Sequence, residues 1–439
     1  MTIVMTGLFE RQALGRYADL FAVAIAVALP WSTSATAVFI VLWLVTLIGS
    51  WNIAERCRER WMLAAALPVL LWVIGVIGML WATVPLIDRL DGLASFHKFL
   101  AIPLLAIQFR DSHRGAWVLI GFLISCTVLL LVSWGLILIP DLPWRGRRKI
   151  AGGDVMIGVP VKDYIAQSTN FTLCFLGLSE SALVAWYKGH RRAAFALVLL
   201  AIIFFANILY AATSRTALVA LPILLLLFAF MRLGWKGGAG LITAALVFVG
   251  VAWSTSPRLR ERVSNFFIEV RNYQPTASPS AAGERIEFWR KSVIMIGSAP
   301  VFGHGTGSIR SEFRQMAAGQ IGMAGLVSAN PHNQIFAIAI QLGLVGTIVL
   351  LAMWIAHFIF FFGPGLTAGI GLAVVVQNII SSQFNSSLFD TTQGWIYVLG
   401  VGVLGGMMMR GSSARTNPGT PEFSEAALCG DQIAERAGP

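Results

Sequence analysis

AAFALVLLAIIFFANILYAAT at 193–213 and TALVALPILLLLFAF at 216–230 hold no charged residue, and only Ser214 and Arg215 stand between them. A helix that crosses a bilayer needs roughly 20 mostly apolar residues. The two runs therefore predict a transmembrane hairpin with a minimal turn. They do not alternate as barrel strands do. Backbone in lipid must satisfy its own hydrogen bonds, which leaves helices as the spanning structure.

Working outward, similar runs predict helices at about 18–31, 35–51, 62–82, 98–109, 116–139, 164–187, 193–213, 216–233, 239–253, 331–360, 365–381 and 394–409. The span 98–109 is short, and 331–360 is long enough to tilt or project. The expected fold is an all-α polytopic membrane protein with about twelve transmembrane helices. Composition agrees: the 439 residues are 57% hydrophobic and 12% charged, against about 25% charged in soluble domains. Mean hydropathy is +0.75. Arg11, Arg16, the apolar run from Leu20 and Ala35-Thr36-Ala37 mimic a cleaved signal peptide. The next apolar run begins at once, so the pair reads as a helical hairpin instead.

An even number of spans puts both termini on one side. The short loops there carry Arg56, Arg58, Arg60, Arg110, Arg114, Lys188, Arg191, Arg192, Arg232, Lys236, Arg410 and Arg415. Positive residues mark the cytoplasmic side. The chain divides into helices one to nine (1–253), an outward loop (254–330), helices ten to twelve (331–410) and a polar tail (411–439), expected to be disordered. The net charge of +11 comes without the aromatic-interleaved basic cluster of a nucleic-acid site. Cys57, Cys126, Cys174 and Cys429 all fall outside the outward loops, so no disulfide is expected, and no Cys/His spacing suggests zinc.

The loop 254–330 carries Arg258, Arg260, Arg262, Arg271, Arg285, Arg290, Lys291, Arg310 and Arg314, which outnumber its glutamates. A basic outer surface suits an anion, and equally a solvated face or lipid headgroups. Leu259, Val263, Phe266, Phe267 and Val270 form one helical stripe, as on a helix lying along a membrane. Ile286, Trp289, Val293 and Ile296 repeat that pattern after a Pro/Ser/Ala-rich connection at 274–283.

Four residues are candidates for chemistry. His332 lies in Asn330-Pro331-His332-Asn333, where Asn330 as N-cap and Pro331 at the first position predict a helix start. In that first turn the helix dipole disfavours imidazolium, which keeps the ring able to accept a proton. The plainer role is a capping or interfacial histidine. Arg215 fits either a snorkelling arginine or a two-pronged clamp on phosphate. Arg285 alone reads as a surface arginine, and Asp390 as a turn or cap residue. Gly303-His304-Gly305-Thr306-Gly307 lacks the Gly-Lys-Ser/Thr and the strand of a phosphate loop and reads as a tight turn. Asp88 and Asp91 are too isolated for a divalent metal.

Together these pieces resemble the O-antigen ligase and polymerase superfamily of bacterial envelope glycosyltransferases. HNQIFAIAIQLGLVG at 332–346 fits its pattern of His, Asn/Ser/Gln, nine residues, Gly, two residues, Gly. ERIEFWRKSVIMIGSAPVFGHGTGS at 284–308 resembles its Arg…Trp…Pro…Gly-x-Gly-x-Gly stretch. SRTAL at 214–218 resembles its arginine turn, and FNSSLFDTTQG at 384–394 its last outer loop. Val219 departs from the Leu of some members.

The resemblance implies a GT-C-like fold in the bacterial inner membrane with its active site facing the periplasm. It implies transfer of glycan from undecaprenyl diphosphate to lipid A-core by a ligase, or to glycan by a polymerase. The chain is most like the ligases. Arg215 and Arg285 are expected to bind the donor diphosphate, and His332 to act as general base in an inverting displacement. Asp390 is expected to orient the acceptor or His332. Neither cofactor nor metal is expected, and the expected partners are the lipid-linked donor, the lipid A-core acceptor and membrane lipid. The rival class is a lipid-linked glycan flippase, whose pathway would be marked by polar intramembrane residues such as Glu180, Asn207, Gln341, Gln377 and Asn378.

Overall fold

Each of the twelve predicted segments contains a helix. The computed structural model describes residues 2–51, 63–139, 158–211 and 213–416. Cys57, Cys429, the arginines at 56, 58 and 60, the loop 140–157 and the tail from 417 lie outside the described residues. In chain order the helices are α1 (Thr2–Ala28), α2 (Thr33–Ser50), α3 (Leu63–Ile77), α4 (Leu86–Ala94), α5 (Ala101–Asp111), α6 (Gly115–Leu138), α7 (Tyr164–Tyr187) and α8 (Arg191–Tyr210). Then come α9 (Arg215–Arg232), α10 (Gly234–Thr255), α11 (Pro257–Arg271), α12 (Ala281–Ser298), α13 (Ile309–Ala317), α14 (Gln334–Phe361), α15 (Leu366–Ser381) and α16 (Thr391–Thr416).

Seven of these are long and apolar enough to cross a membrane, or up to eight if the bent pair 86–94 and 97–111 is one span. That is fewer than the expected twelve, for identifiable reasons. At 15 and 16 residues, α3 and α15 are short. Helix α1 carries Arg11, Arg16 and Asp19. Helix α7 buries Gln167, Asn170 and Glu180 among its neighbours rather than offering them to lipid.

Polar side chains hold the bundle together where lipid offers no partner. Gln167 donates to Asn207 Oδ1 (3.1 Å), and Asn207 donates to Ser133 (2.8 Å). Glu180 pairs with Arg232 at 2.9 Å. Gln341 accepts from Gly307 N, and Gln377 donates to Thr169 O. Small residues set the closest approaches. A Cβ on Gly402 would meet Leu105, and one on Gly406 the carbonyl of Ala106, so this Gly-x-x-x-Gly lets α16 lie against α5.

Helix α14 differs from the continuous segment expected. It breaks at Gly343, whose φ of 59° and ψ of −152° are non-helical. The break frees two carbonyls, at Ile340 and Gln341, which accept from His304 N (2.8 Å) and Gly305 N (2.9 Å). It also frees two amides, at Leu344 and Val345, which donate to Pro300 O (2.8 Å) and Val301 O (3.3 Å). The glycine-rich stretch 303–307 is thus a clamp on a broken helix. Any side chain at 343 would run into the Val301 carbonyl and strain a left-handed backbone. Gly343→Ala is expected to cost at least about 1–3 kcal/mol, seen as a lower thermal midpoint in detergent with the residual fold still helical by circular dichroism.

Beyond the break, α12, α13 and the outer half of α14 share a small core of Phe288, Met295, Ile309, Phe313, Ala337 and Ile340. The buried face of α12 is rotated from the expected stripe. Phe288, Ser292 and Met295 point inward and Val293 is exposed. The cause is polar: Glu287 is buried against Tyr273 (2.5 Å) and Arg290 (2.6 Å), and buried Lys291 donates to Ala324 O (2.5 Å). On α11, Leu259 is buried, whereas Phe267 and Val270 are exposed.

Candidate functional site

Arg215 is the first residue of α9, presented by Ser214, whose hydroxyl caps the helix by accepting from Ala217 N at 3.1 Å. The guanidinium lies 5.2 Å from the ring of Phe266. Its Nη2 donates to Glu269 Oε1 at 2.9 Å. Its Nε and Nη1 are buried and find no partner in the protein. Arg285, in the second turn of α12, likewise has a buried, unpartnered Nε. Burial, then the neighbouring Arg215, hold the Arg285 guanidinium below its ordinary range. Both arginines thus carry orphaned buried N–H groups and the Arg215 charge acts on Arg285; such donors suit an anion.

The Arg285 charge also acts on His332, which does not stand on a helix. It precedes the N-cap, which is Asn333; the Asn333 Oδ1 accepts from Ile335 N (2.9 Å) and Phe336 N (3.2 Å). The expected cap, Asn330, has another task. Its Oδ1 accepts from His332 N (2.8 Å) and from the Ser386 hydroxyl (2.8 Å). His332 therefore sits in a turn with a left-handed φ of 55°. Its ring stacks on Phe288 with centroids 5.9 Å apart, and Trp289 Nε1 donates to its carbonyl at 3.3 Å.

The cause of its neutrality also differs from the helix dipole expected. Burial first, then the Arg285 charge, push His332 down to about 4, with Asn385 opposing them. His332 Nδ1 lies 3.2 Å from Asn385 Oδ1. With that amide oxygen as acceptor, Nδ1 carries the proton and Nε2 is left with its lone pair free.

Asp390 is placed elsewhere. Its Oδ1 accepts from Gln393 N at 2.8 Å, capping α16, and its backbone carbonyl accepts from Lys98 Nζ at 2.9 Å. It makes no hydrogen bond with His332, whose partner from that loop is Asn385. Sequence reasoning did not single out Asn385, Glu269 or Tyr164, the last of which has Arg262 stacked 4.6 Å over its ring. Their only signal was proximity in the fold, except that Asn385 lies inside the FNSS stretch at 384–387. Among the described residues, no group of three or more His, Cys, Asp or Glu side chains is placed to hold a metal ion.

Two arginines with unpartnered buried N–H groups and a neutral histidine, in an all-helical bundle with membrane-length helices, are groups that suit transfer from an anionic leaving group. Residues 183–351 match the family model described as O-antigen ligase, a match that supports the resemblance of this polytopic chain to the O-antigen ligase and polymerase superfamily. The match contains Arg215, Arg285 and His332, and stops short of Asn385 and Asp390. No curated protein matches the chain.

Proposed function

We propose that the chain is an O-antigen ligase that moves glycan from an undecaprenyl-diphosphate carrier to a sugar hydroxyl of lipid A-core. The observation that carries this reading is the set of orphaned buried N–H groups on Arg215 and Arg285 beside a neutral His332. The acceptor oxygen attacks the anomeric carbon from the side opposite the diphosphate. The bond from that carbon to the diphosphate oxygen breaks, and its electron pair leaves with the diphosphate. The arginines offset the charge gained there. The acceptor proton passes to His332 Nε2. One displacement inverts the anomeric centre.

A polymerase would use the same chemistry with glycan as acceptor; the helical loop 254–330 favours the ligase. A flippase is disfavoured because Glu180, Asn207, Gln341 and Gln377 are each tied to another protein group. The deciding experiment incubates purified protein with lipid-linked O-antigen and lipid A-core in a strong chelator. A mass increase of the core supports ligation by arginine-held diphosphate. Lengthening of the lipid-linked glycan instead indicates polymerisation. Loss of all transfer, rescued by magnesium or manganese, removes the metal-independent mechanism.

The proposed orientation has both termini in the cytoplasm and the site in the periplasm. Cysteine introduced within 254–330 is expected to react with an impermeant thiol reagent in spheroplasts, while Cys57 and Cys429 do not. Labelling of the two native thiols inverts the orientation.

The pH dependence follows from His332. A base held down to about 4 stays unprotonated throughout pH 5–8 and gains its proton only below that range. The acid limb of kcat/KM, which reports the free enzyme, is expected near pH 4 rather than near the ordinary histidine value of about 6.5. Bound diphosphate stabilises imidazolium, so the limb in kcat moves to higher pH. Arg285→Gln removes a repelling charge and raises the kcat/KM limb. A wild-type limb at about 6.5 contradicts this account.

A further inference from the structure

The anion cradle proposed at Arg215 and Arg285 is not vacant of negative charge. Glu269, on α11, reaches into it from the side. One carboxylate oxygen, Oε1, accepts from Arg215 Nη2 at 2.9 Å. The other, Oε2, accepts from Ala282 N, in the first turn of α12, at 2.7 Å. An arginine on one side and a helix N-terminal amide on the other are the donors that suit a phosphate oxygen. A single side chain from a third element satisfies both.

Helix α11 lies across Arg215 with Phe266 over the guanidinium and Glu269 against it. Its other face exposes Phe267 and Ile268. Ala282 keeps its place in α12 independently, because the Ser280 hydroxyl caps that helix through Gly283 N at 3.2 Å. Removing the carboxylate therefore frees donors without dismantling the cradle.

We propose that Glu269 is a built-in anion that occupies part of the donor-diphosphate site until the donor displaces it. The proposal rests on the reading of Arg215 and Arg285 as the diphosphate site. The intact cradle then pays a competition cost on every binding event: affinity is reduced by the fraction of molecules in which Glu269 has let go. This keeps Arg215 from holding adventitious anions, while a diphosphate, with more charge and more acceptor oxygens, wins the exchange.

The test uses the full chain in nanodiscs of uncharged phosphatidylcholine, with inorganic pyrophosphate as probe and calorimetry as readout. Glu269→Gln is expected to bind pyrophosphate about tenfold more tightly than wild type, as for a competitor bound in about nine molecules of ten. Glu269→Ala, which removes both contacts by a different route, is expected to move in the same direction. Glu284→Gln removes a nearby charge that faces Arg285 but does not touch Arg215, and is expected to tighten binding much less. Arg215→Gln is expected to abolish binding. Equal tightening by Glu284→Gln reduces the effect to net charge and overturns the proposal. Unchanged or weaker binding by both Glu269 variants, with Arg215 still required, makes Glu269 a positioning residue; the proposal falls and the anion site stands. Binding indifferent to Arg215→Gln in every protein overturns the anion-site reading itself.

Discussion

Replacing His332 with alanine is expected to lower single-turnover transfer by about 10²–10⁴-fold while the lipid-linked donor still binds. The separation follows from the site. The ring is turned by Asn385 so that Nε2 is free, and it is kept neutral by burial and Arg285. The N–H groups proposed to bind the diphosphate belong to Arg215 and Arg285. Removing the imidazole removes the proton acceptor and leaves the cradle. His332→Asn is the companion variant, because asparagine tolerates the left-handed backbone at this position and cannot take a proton. Both variants should lose chemistry to a similar degree, with thermal midpoints close to wild type for the asparagine form. Near-normal turnover in either, or failure through lost donor binding alone, removes His332 from the general-base role.

Arg215→Lys is expected to behave differently: donor affinity and transfer rate both fall, each by about tenfold or more. Lysine keeps the charge but loses the planar fork. Charge-assisted hydrogen bonds are worth about 1.5–3 kcal/mol each, and about 1.4 kcal/mol is a tenfold change. Lysine also gives up the stack on Phe266 and competes differently with Glu269. Donor binding and single-turnover rate measured on the same preparation place the two substitutions on separate axes. Retained affinity with a slower rate in Arg215→Lys means that this arginine acts only as charge develops, not in holding the donor.

The helices were legible because lipid imposes one rule on every span, and 193–213 and 216–230 obey it openly. The break in α14 was hidden by the same rule. From Ile335 to Phe361 the only polar side chains are Gln341, Thr347 and His357, and Gly343 is one of just two glycines, so nothing local marks the break. The helix start was misplaced because Asn330 and Asn333 are both good caps. The choice falls on Asn333 because the Asn330 side chain is taken by His332 N and Ser386, a fact of the fold and not of the local sequence. Arg215, Arg285 and His332 were found through short stretches that resemble a family. Asn385 and Glu269 act through partners 53 and 54 residues away, so nothing in their own surroundings announces them. Asp390, conspicuous as a carboxylate between apolar helices, is spent on capping α16.

The break at Gly343 also works as a depth mark. From Leu344 to Phe361 the helix runs roughly 18 residues at about 1.5 Å each, about 27 Å, which nearly exhausts the ~30 Å hydrocarbon layer. A bilayer filled by that stretch ends close to Gly343, level with the end of α3, where Gly78 O meets Thr306 N. The stub from Gln334 to Leu342 then lies beyond that stretch, packed through Ala337 and Ile340 into the outer core and through Ile338 and Leu342 into the main one. His332, at the far end of that stub, is held at a fixed height over the lipid. On the proposed function, a carrier lipid anchored by its tail presents its headgroup at its own fixed height, and the stub's length then sets how far out along the tethered substrate the reacting bond can lie.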